Sequence, residues 1–275
     1  MRVSVVTFLR PGSEAPGHSL DRIAAYARRV EEKGFPGIWV TDSFGRGRAT
    51  LDPLAALSAL AAITRDIELG TCVLQVPVRH PVELAHRIQS VQALSGGRLR
   101  LGVGSGSTKV DFDLVGADYE QRFKLLMSAL ETMQRAWRGE PLQGGALTPW
   151  PGTAGGPPVM LGAWRNKRWI TYAAERCAGW IASGLYGSWE DLEAGIRRYR
   201  EAGGKRAILA NVIVDLHDRP EVAAARAQPA TITLSGGPDE ACRRLRRIRD
   251  IGFDDVLCVS PVEALEEIEQ VRDFV

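Results

Sequence analysis

The sequence predicts an α/β protein of the (β/α)8 TIM-barrel class, folded as a single domain over residues 1–275. Three observations carry this expectation. Short β-branched runs alternate with longer amphipathic ones, the pair recurs eight times, and the repeats occupy about 250 residues, the usual size of a closed parallel barrel.

The first strand is expected at Val3–Thr7 and the first helix from about Ser19 to Lys33, ended by Gly34 as a left-handed cap. Gly37–Thr41 is the second strand. Its helix starts near Asp52-Pro53, where a side-chain acceptor helps and a missing N–H costs little. Ile67–Val73 and Pro81–Leu94 form the third pair, Arg98–Val103 and about Tyr119–Trp137 the fourth. Pro158–Leu161 with Trp169–Glu175, and Gly179–Ala182 with Glu190–Glu201, follow as fifth and sixth. Ala207–Val214 with Asp239–Asp250, and Asp255–Val259 with Val262–Phe274, complete the eight. A doubly wound open sheet alternates in the same way, but the count of eight favours closure. The stretches Gly139–Pro158 and His217–Gly237 break the rhythm and read as loops, because neither half of the chain has enough strands to stand alone.

The bulk numbers remove several functional classes. With 35 Lys and Arg against 33 Asp and Glu, the net charge of +2 exerts no general pull toward nucleic acid or an anionic membrane. The Arg-rich run Arg243–Arg249 has helical spacing and reads as a solvated face. No apolar run approaches the ~20 residues needed to cross a bilayer. Met1-Arg2-Val3-Ser4-Val5-Val6 begins directly on a strand pattern without a leader, so a cytoplasmic location is expected. Cys72, Cys177, Cys242 and Cys258 have no metal-ligand spacing and read as reduced, packed thiols, and no metal site is expected.

In a barrel of this class the chemistry belongs to the loops after the strands. Gly102–Thr108 is the most informative of these. Its glycines allow positive φ and close approach, Ser105, Ser107 and Thr108 add hydroxyls, and successive N–H groups in such a turn form an anion-binding nest. A ligand phosphate is the natural occupant, with Arg165 as counter-charge. The competing reading is a tight turn built from Gly and Ser for steric reasons alone. Asp42, at the end of the second strand, is expected to face the barrel mouth and touch a ligand. His80-Pro81 precedes a helix, where an imidazole satisfies backbone groups; His86 and His217 read as incidental.

Gly34-Phe35, Ile38-Trp39-Val40, Asp52-Pro53, Ile67–Thr71, His80-Pro81, Ser95–Arg98 and Leu101–Gly106 stand in the order found in luciferase-like flavin-dependent oxidoreductases. Arg122, Trp137–Glu140, Gly179-Trp180 and Gly252-Phe253 extend the resemblance nearly end to end. The resemblance implies a luciferase-like barrel that carries a tricyclic ring on a bulge after the third strand, with a non-prolyl cis bond at Cys72–Val73. It implies an acidic contact at Asp42, and backbone amides of Gly104, Ser105, Gly106, Ser107, Gly162 and Ala163 on the cofactor phosphate. Two departures stand out: Ser43 occupies a position where many relatives carry His, and the segment after the seventh strand, usually a lid, is short.

The resulting expectation is an oxidoreductase using FMN or coenzyme F420, either a monooxygenase or a hydride-transfer enzyme, acting on a small organic substrate. Asp42 and Ser43 are the candidate catalytic residues. Phe8, Phe44, Gln75 and Trp164 are the candidate substrate pocket. The resemblance also implies a homodimer. A non-catalytic flavin-binding protein of the same fold, and a barrel isomerase or lyase for a phosphorylated metabolite, are the alternatives.

Overall fold

The structure is a computed structural model that describes residues 1–7, 18–47, 49–224, 232–259 and 265–273. Its strands are β1 (Arg2–Thr7), β2 (Gly37–Val40), β3 (Glu68–Thr71), β4 (Leu74–Gln75), β5 (Leu99–Gly104), β6 (Val159–Gly162), β7 (Gly179–Ser183), β8 (Ala207–Asp215), β9 (Thr233–Ser235) and β10 (Asp255–Val259). The helices are α1 (His18–Glu32), α2 (Pro53–Ile63), α3 (Pro81–Leu94), α4 (Lys109–Val115), α5 (Arg122–Trp137), α6 (Lys167–Arg176), α7 (Trp189–Glu201), α8 (Pro220–Ala224), α9 (Gly237–Asp250) and α10 (Leu265–Arg272).

Local chemistry explains most of the boundaries. Gly34 takes φ +72°, and the bonds Gly34 N–H to Glu31 and Phe35 N–H to Val30 close α1 in a Schellman-type end. Asp52 accepts from the N–H groups of Leu54 and Ala55, and Pro53 occupies the first turn of α2, as the Asp-Pro pair predicts. Ser188 and Asp191 form a reciprocal capping box on α7.

The chain packs as two compact units. The first comprises Met1–Thr7, Val30–Trp39 and Met160–Val275; the second comprises Phe8–Arg29 and Val40–Val159. In the first unit, parallel pairing runs β6-β7-β8-β10-β1-β2, and β9 adds to β8. Its core includes Trp180, whose ring lies 5.5 Å from Tyr199 and 5.8 Å from Phe253. In the second unit β5 pairs with β3 and with its continuation β4. There the Val40 carbonyl at the end of β2 accepts from Cys72, and Leu101 in β5 donates to Pro158. Trp137, buried in the same unit, donates its indole N–H to Ala85 at 3.0 Å. The strand order, with β10 bonded to both β8 and β1, is that of the closed eight-stranded parallel (β/α)8 barrel predicted from the sequence.

Three elements depart from the predicted pattern. The expected third strand, Ile67–Val73, breaks after Thr71 and resumes as β4. A short helix, α4, precedes the long one expected in the fourth unit. The stretch His217–Gly237, read as a loop, contains α8 and the three-residue β9.

Arg98 ties the second unit together below the site. Its guanidinium donates to the carbonyls of Ser95, Ile67, Ala61 and Thr64 and to the Thr64 hydroxyl, at 2.9–3.1 Å. Arg98→Ala is expected to destabilise the protein by about 3 kcal/mol, because carbonyls at the end of α2 lose a charged donor. Arg98→Lys should recover only a minor part, since a point ammonium cannot span the same acceptors. Urea unfolding midpoints test both; a Lys variant as stable as wild type would show that the fork geometry is dispensable.

Candidate functional site

The site grows from the carboxyl end of β3. The peptide bond Cys72–Val73 is cis, as the resemblance implied. Around it, Cys72 N–H donates to Val40 at 2.8 Å and the Thr71 hydroxyl donates to the Gly102 carbonyl at 2.6 Å. The chain then pairs again with β5, Leu74 opposite Val103 and Gln75 opposite Gly104. Val73 is left half-buried. Gly104 faces it so closely that an added Cβ would stand 2.6 Å from Val73 Cγ2. Gly106 has φ +79°, and a Cβ there would stand 2.7 Å from the Phe112 ring and 2.8 Å from Gln75 Oε1. The close approaches these glycines permit are thus to the chain's own side chains, which supports the steric reading of the turn.

The anion-nest reading has separate support. Among the turn and loop bonds within this unit, none has the backbone N–H of Ser105, Gly106 or Ser107 as its donor. Ser105 and Gly106 are half-buried and Ser107 is exposed. Successive amides on a turn with positive φ at Gly106 suit an anion. Beside them the Tyr119 hydroxyl donates to the Ser107 carbonyl at 3.2 Å, and the Arg122 guanidinium lies 4.0 Å from the Tyr119 ring centre. The donor set therefore fits a phosphate, with Arg122 as the adjacent positive charge. Arg165, named for that task from the sequence, lies in the other unit, exposed and 3.6 Å from Asp191.

Asp42 follows β2 and is buried. Arg79 grips it through two bonds, Nη1 to Oδ2 at 2.6 Å and Nη2 to Oδ1 at 3.0 Å, and Gln75 N–H donates to Oδ2 at 2.8 Å. Arg79 also donates to the Gln75 carbonyl at 2.9 Å and reaches Asp52 at 3.6 Å. Burial pulls the Arg79 pKa down, but hydrogen bonding to Asp42 and its charge, then those of Asp52, outweigh it and hold the group above its ordinary value. Both Asp42 oxygens are thus engaged by the chain itself. Ser43 is half-buried, with its carbonyl accepting from the Thr50 hydroxyl.

Gln75, expected in the substrate pocket, is 3% exposed and anchored by its side-chain amide to the Asp42 carbonyl and to Asp111. Phe44 is 41% exposed. Phe8 lies outside the described residues. In the first unit, Gly162 ends β6, and Ala163 is consumed by strand-end bonds: its N–H donates to Ile181 at 3.1 Å and its carbonyl accepts from Trp180 at 2.7 Å. Trp164 is 45% exposed and stacks on Tyr186 with ring centres 4.4 Å apart.

Sequence reasoning passed over Arg79 in favour of its neighbour His80. His80 is exposed at the start of α3 and makes no side-chain cap bond, contrary to the backbone-satisfying part expected of it. Asp111 was missed as well, being an ordinary acidic residue in a short helix. Arg122 was part of the family pattern but had been given no task.

Among the described residues no cluster of three or more His, Cys, Asp or Glu is placed to hold a metal, and no helix is long and apolar enough to cross a membrane. Burial pushes the thiols of Cys72 and Cys258 up to about 12 and that of Cys177 up to about 11. A thiolate at Cys72 is therefore scarce at neutral pH, even though the residue borders the bulge. We expect Cys72 and Cys258 to resist a thiol-specific disulfide reagent at pH 8 until the protein unfolds. Rapid labelling of Cys72 in the folded protein would contradict its burial.

Comparison with known proteins places this geometry. The family model described as luciferase-like monooxygenase matches residues 1–249. A 4-hydroxyprotoasukamycin monooxygenase of Streptomyces nodosus subsp. asukaensis is 33% identical over 143 residues, which is 50% of this chain and 38% of that protein. The chain likewise spans only 58% and 38% of two other curated relatives. An F420-dependent secondary alcohol dehydrogenase, solved with an F420-acetone adduct, superposes with a TM-score of 0.77 at 14% identity, covering 100% of this chain and 98% of that one. The oxygenating constituent of 3,6-diketocamphane monooxygenase from Pseudomonas putida, solved with FMN, also gives 0.77, at 16% identity, covering 99% and 96%. Such likeness establishes a shared fold, and the cofactors named belong to those proteins.

Proposed function

The chain belongs to the luciferase-like monooxygenase family, and on that premise we propose that it is an oxidoreductase binding FMN or coenzyme F420 beside the cis bond and acting on a small organic substrate. The observation that supports this reading best is the run of amides at Ser105, Gly106 and Ser107, engaged by no turn or loop bond of their unit, in the same compact unit as the Cys72–Val73 bulge. A phosphate-tailed planar ring needs an anion cradle and an apolar ledge, and these residues offer both.

Val73 provides the apolar surface for the ring, and the Ser105–Ser107 amides with Arg122 hold the phosphate. When bound, the cofactor supplies two-electron redox chemistry, with oxygen if it is FMN and by hydride transfer if it is F420. Asp42 serves through Arg79 and Gln75, keeping the strand ends in register. Ser43 supplies the hydroxyl next to it. A homodimer belongs to the same reading and is tested by light scattering.

Titration of the purified protein with FMN and with F420 separately, following ring absorbance and fluorescence, tests the proposal. Saturable binding of one cofactor is expected, and its identity selects oxygenation or hydride transfer. Binding of neither, with retention of a sugar phosphate, would sink the reading in favour of a barrel isomerase or lyase. The full engagement of Asp42 favours one other possibility, a non-catalytic flavin-binding protein. Turnover of bound reduced cofactor by any aldehyde, ketone or alcohol eliminates it.

A further inference from the structure

The sharpest unexplained group in the second unit is the carboxyl of Asp111. It lies in the first turn of α4 and is completely buried. Oδ1 accepts from the Gly45 N–H at 2.6 Å and Oδ2 from Gln75 Nε2 at 2.9 Å. Among the described residues no Lys, Arg or His forms an ion pair with it. Burying a carboxyl on neutral donors alone is costly, and an apolar residue would fill the first turn of a short helix at less expense. The placement therefore needs a reason other than stability.

Its partners supply one. Gly45 belongs to the loop that carries Asp42, Ser43 and Phe44, and a Cβ at Gly45 would stand 2.6 Å from Asp111 Oδ1, so only glycine admits this contact. Gln75 follows the cis bond. Its Nε2 faces two acceptors, Asp111 and the Asp42 carbonyl, which fixes the amide orientation and leaves the buried Oε1 without a partner, turned to Gly106. Three separate segments of the candidate site, after β2, after the bulge and after β5, thus meet through one side chain.

We propose that Asp111 is a positioning residue for the cofactor site, latching the Ser43–Gly47 loop through the Gly45 N–H and locking Gln75 against the glycine turn. This rests on the cofactor reading above for its purpose, but the latch itself is a property of the apoprotein. An amide at 111 must present a donor to one of its two donors, so Asp111→Asn releases one side of the latch while keeping the shape of the residue.

The test compares wild type, Asp111→Asn and Asp113→Asn, the last being an exposed residue of the same helix paired with Lys109. Tryptic cleavage after the exposed Arg46, read by mass spectrometry on apoprotein, reports the loop; cofactor Kd and the ring spectrum report the site. Asp111→Asn should melt cooperatively, be cut after Arg46 about tenfold faster, and bind cofactor about tenfold more weakly with an altered ring spectrum, as expected for loss of one bond to a charged acceptor. Asp113→Asn should match wild type in all of these. Wild-type cleavage in folded Asp111→Asn overturns the latch, and faster cleavage with unchanged Kd and spectrum overturns its role in binding. If Asp111→Asn does not fold, Gly45→Ala, which forces the same contact apart, replaces it under the same criteria. If wild type binds neither cofactor, the functional reading fails while the Arg46 cleavage still decides the latch.

Discussion

Gly106→Val should abolish cofactor binding while leaving a folded protein, and Gly104→Val should do the same. The cause lies in the chain rather than in a side chain occupying the space of a phosphate. At 106 a β-branched residue must adopt φ +79° with its Cβ 2.7 Å from Phe112 and 2.8 Å from Gln75 Oε1. The left-handed conformation costs roughly 1–2 kcal/mol and the overlap about 1–3 more. The turn escapes by opening, and the three amides then no longer converge. A loss near 3 kcal/mol at the site corresponds to about a hundredfold in affinity or more. At 104 the obstacle is Val73 Cγ2 at 2.6 Å, which permits a compensation test. Gly104→Ala alone should weaken binding, and adding Val73→Ala should restore part of it by removing the opposing methyl. Wild-type affinity in folded Gly106→Val would show that the turn does not hold the ligand. Failure of the double variant to recover would mean that the Val73 contact is not the cause.

Arg79→Ala should be the most destabilising single change at the site, by about 3–5 kcal/mol, because it strands a buried carboxylate. The Asp42 side chain is 2% exposed and loses both Arg79 bonds, keeping only the Gln75 N–H. Asp42→Ala should cost less, since Arg79 is 12% exposed and retains Asp52 at 3.6 Å and the Gln75 carbonyl. The double variant should cost less than the sum of the two, the mark of a direct pair. Urea denaturation of the four proteins provides the cycle. Equal costs for the two single variants, or simple additivity, would argue that the pair is held apart by unseen solvent and is not a buried clamp.

Much of the fold was legible because its signals are local. Every predicted strand has a counterpart in the structure, and Gly34 and Asp52-Pro53 act where expected because caps depend on residues within one turn. α4 was missed because Val110, Leu114 and Val115 are exposed, so its apolar positions do not mark an inward stripe. β9 was missed because three residues are too few for a period to register, and its strand character comes from pairing with β8.

The candidate site divides along the same line. The amino-acid order alone established an eightfold strand–helix rhythm and a family pattern, and it marked a glycine turn readable as an anion cradle or as a steric turn, since each needs only neighbouring residues or matching motifs. Folding decided what the acidic groups do: Asp42 meets Arg79 across 37 residues, Gln75 meets Asp111 across 36, and Gly45 meets Asp111 across 66. No propensity or period encodes such pairs. They exist because parallel strands deliver distant loop ends to one place, where burial favours polar groups that find partners.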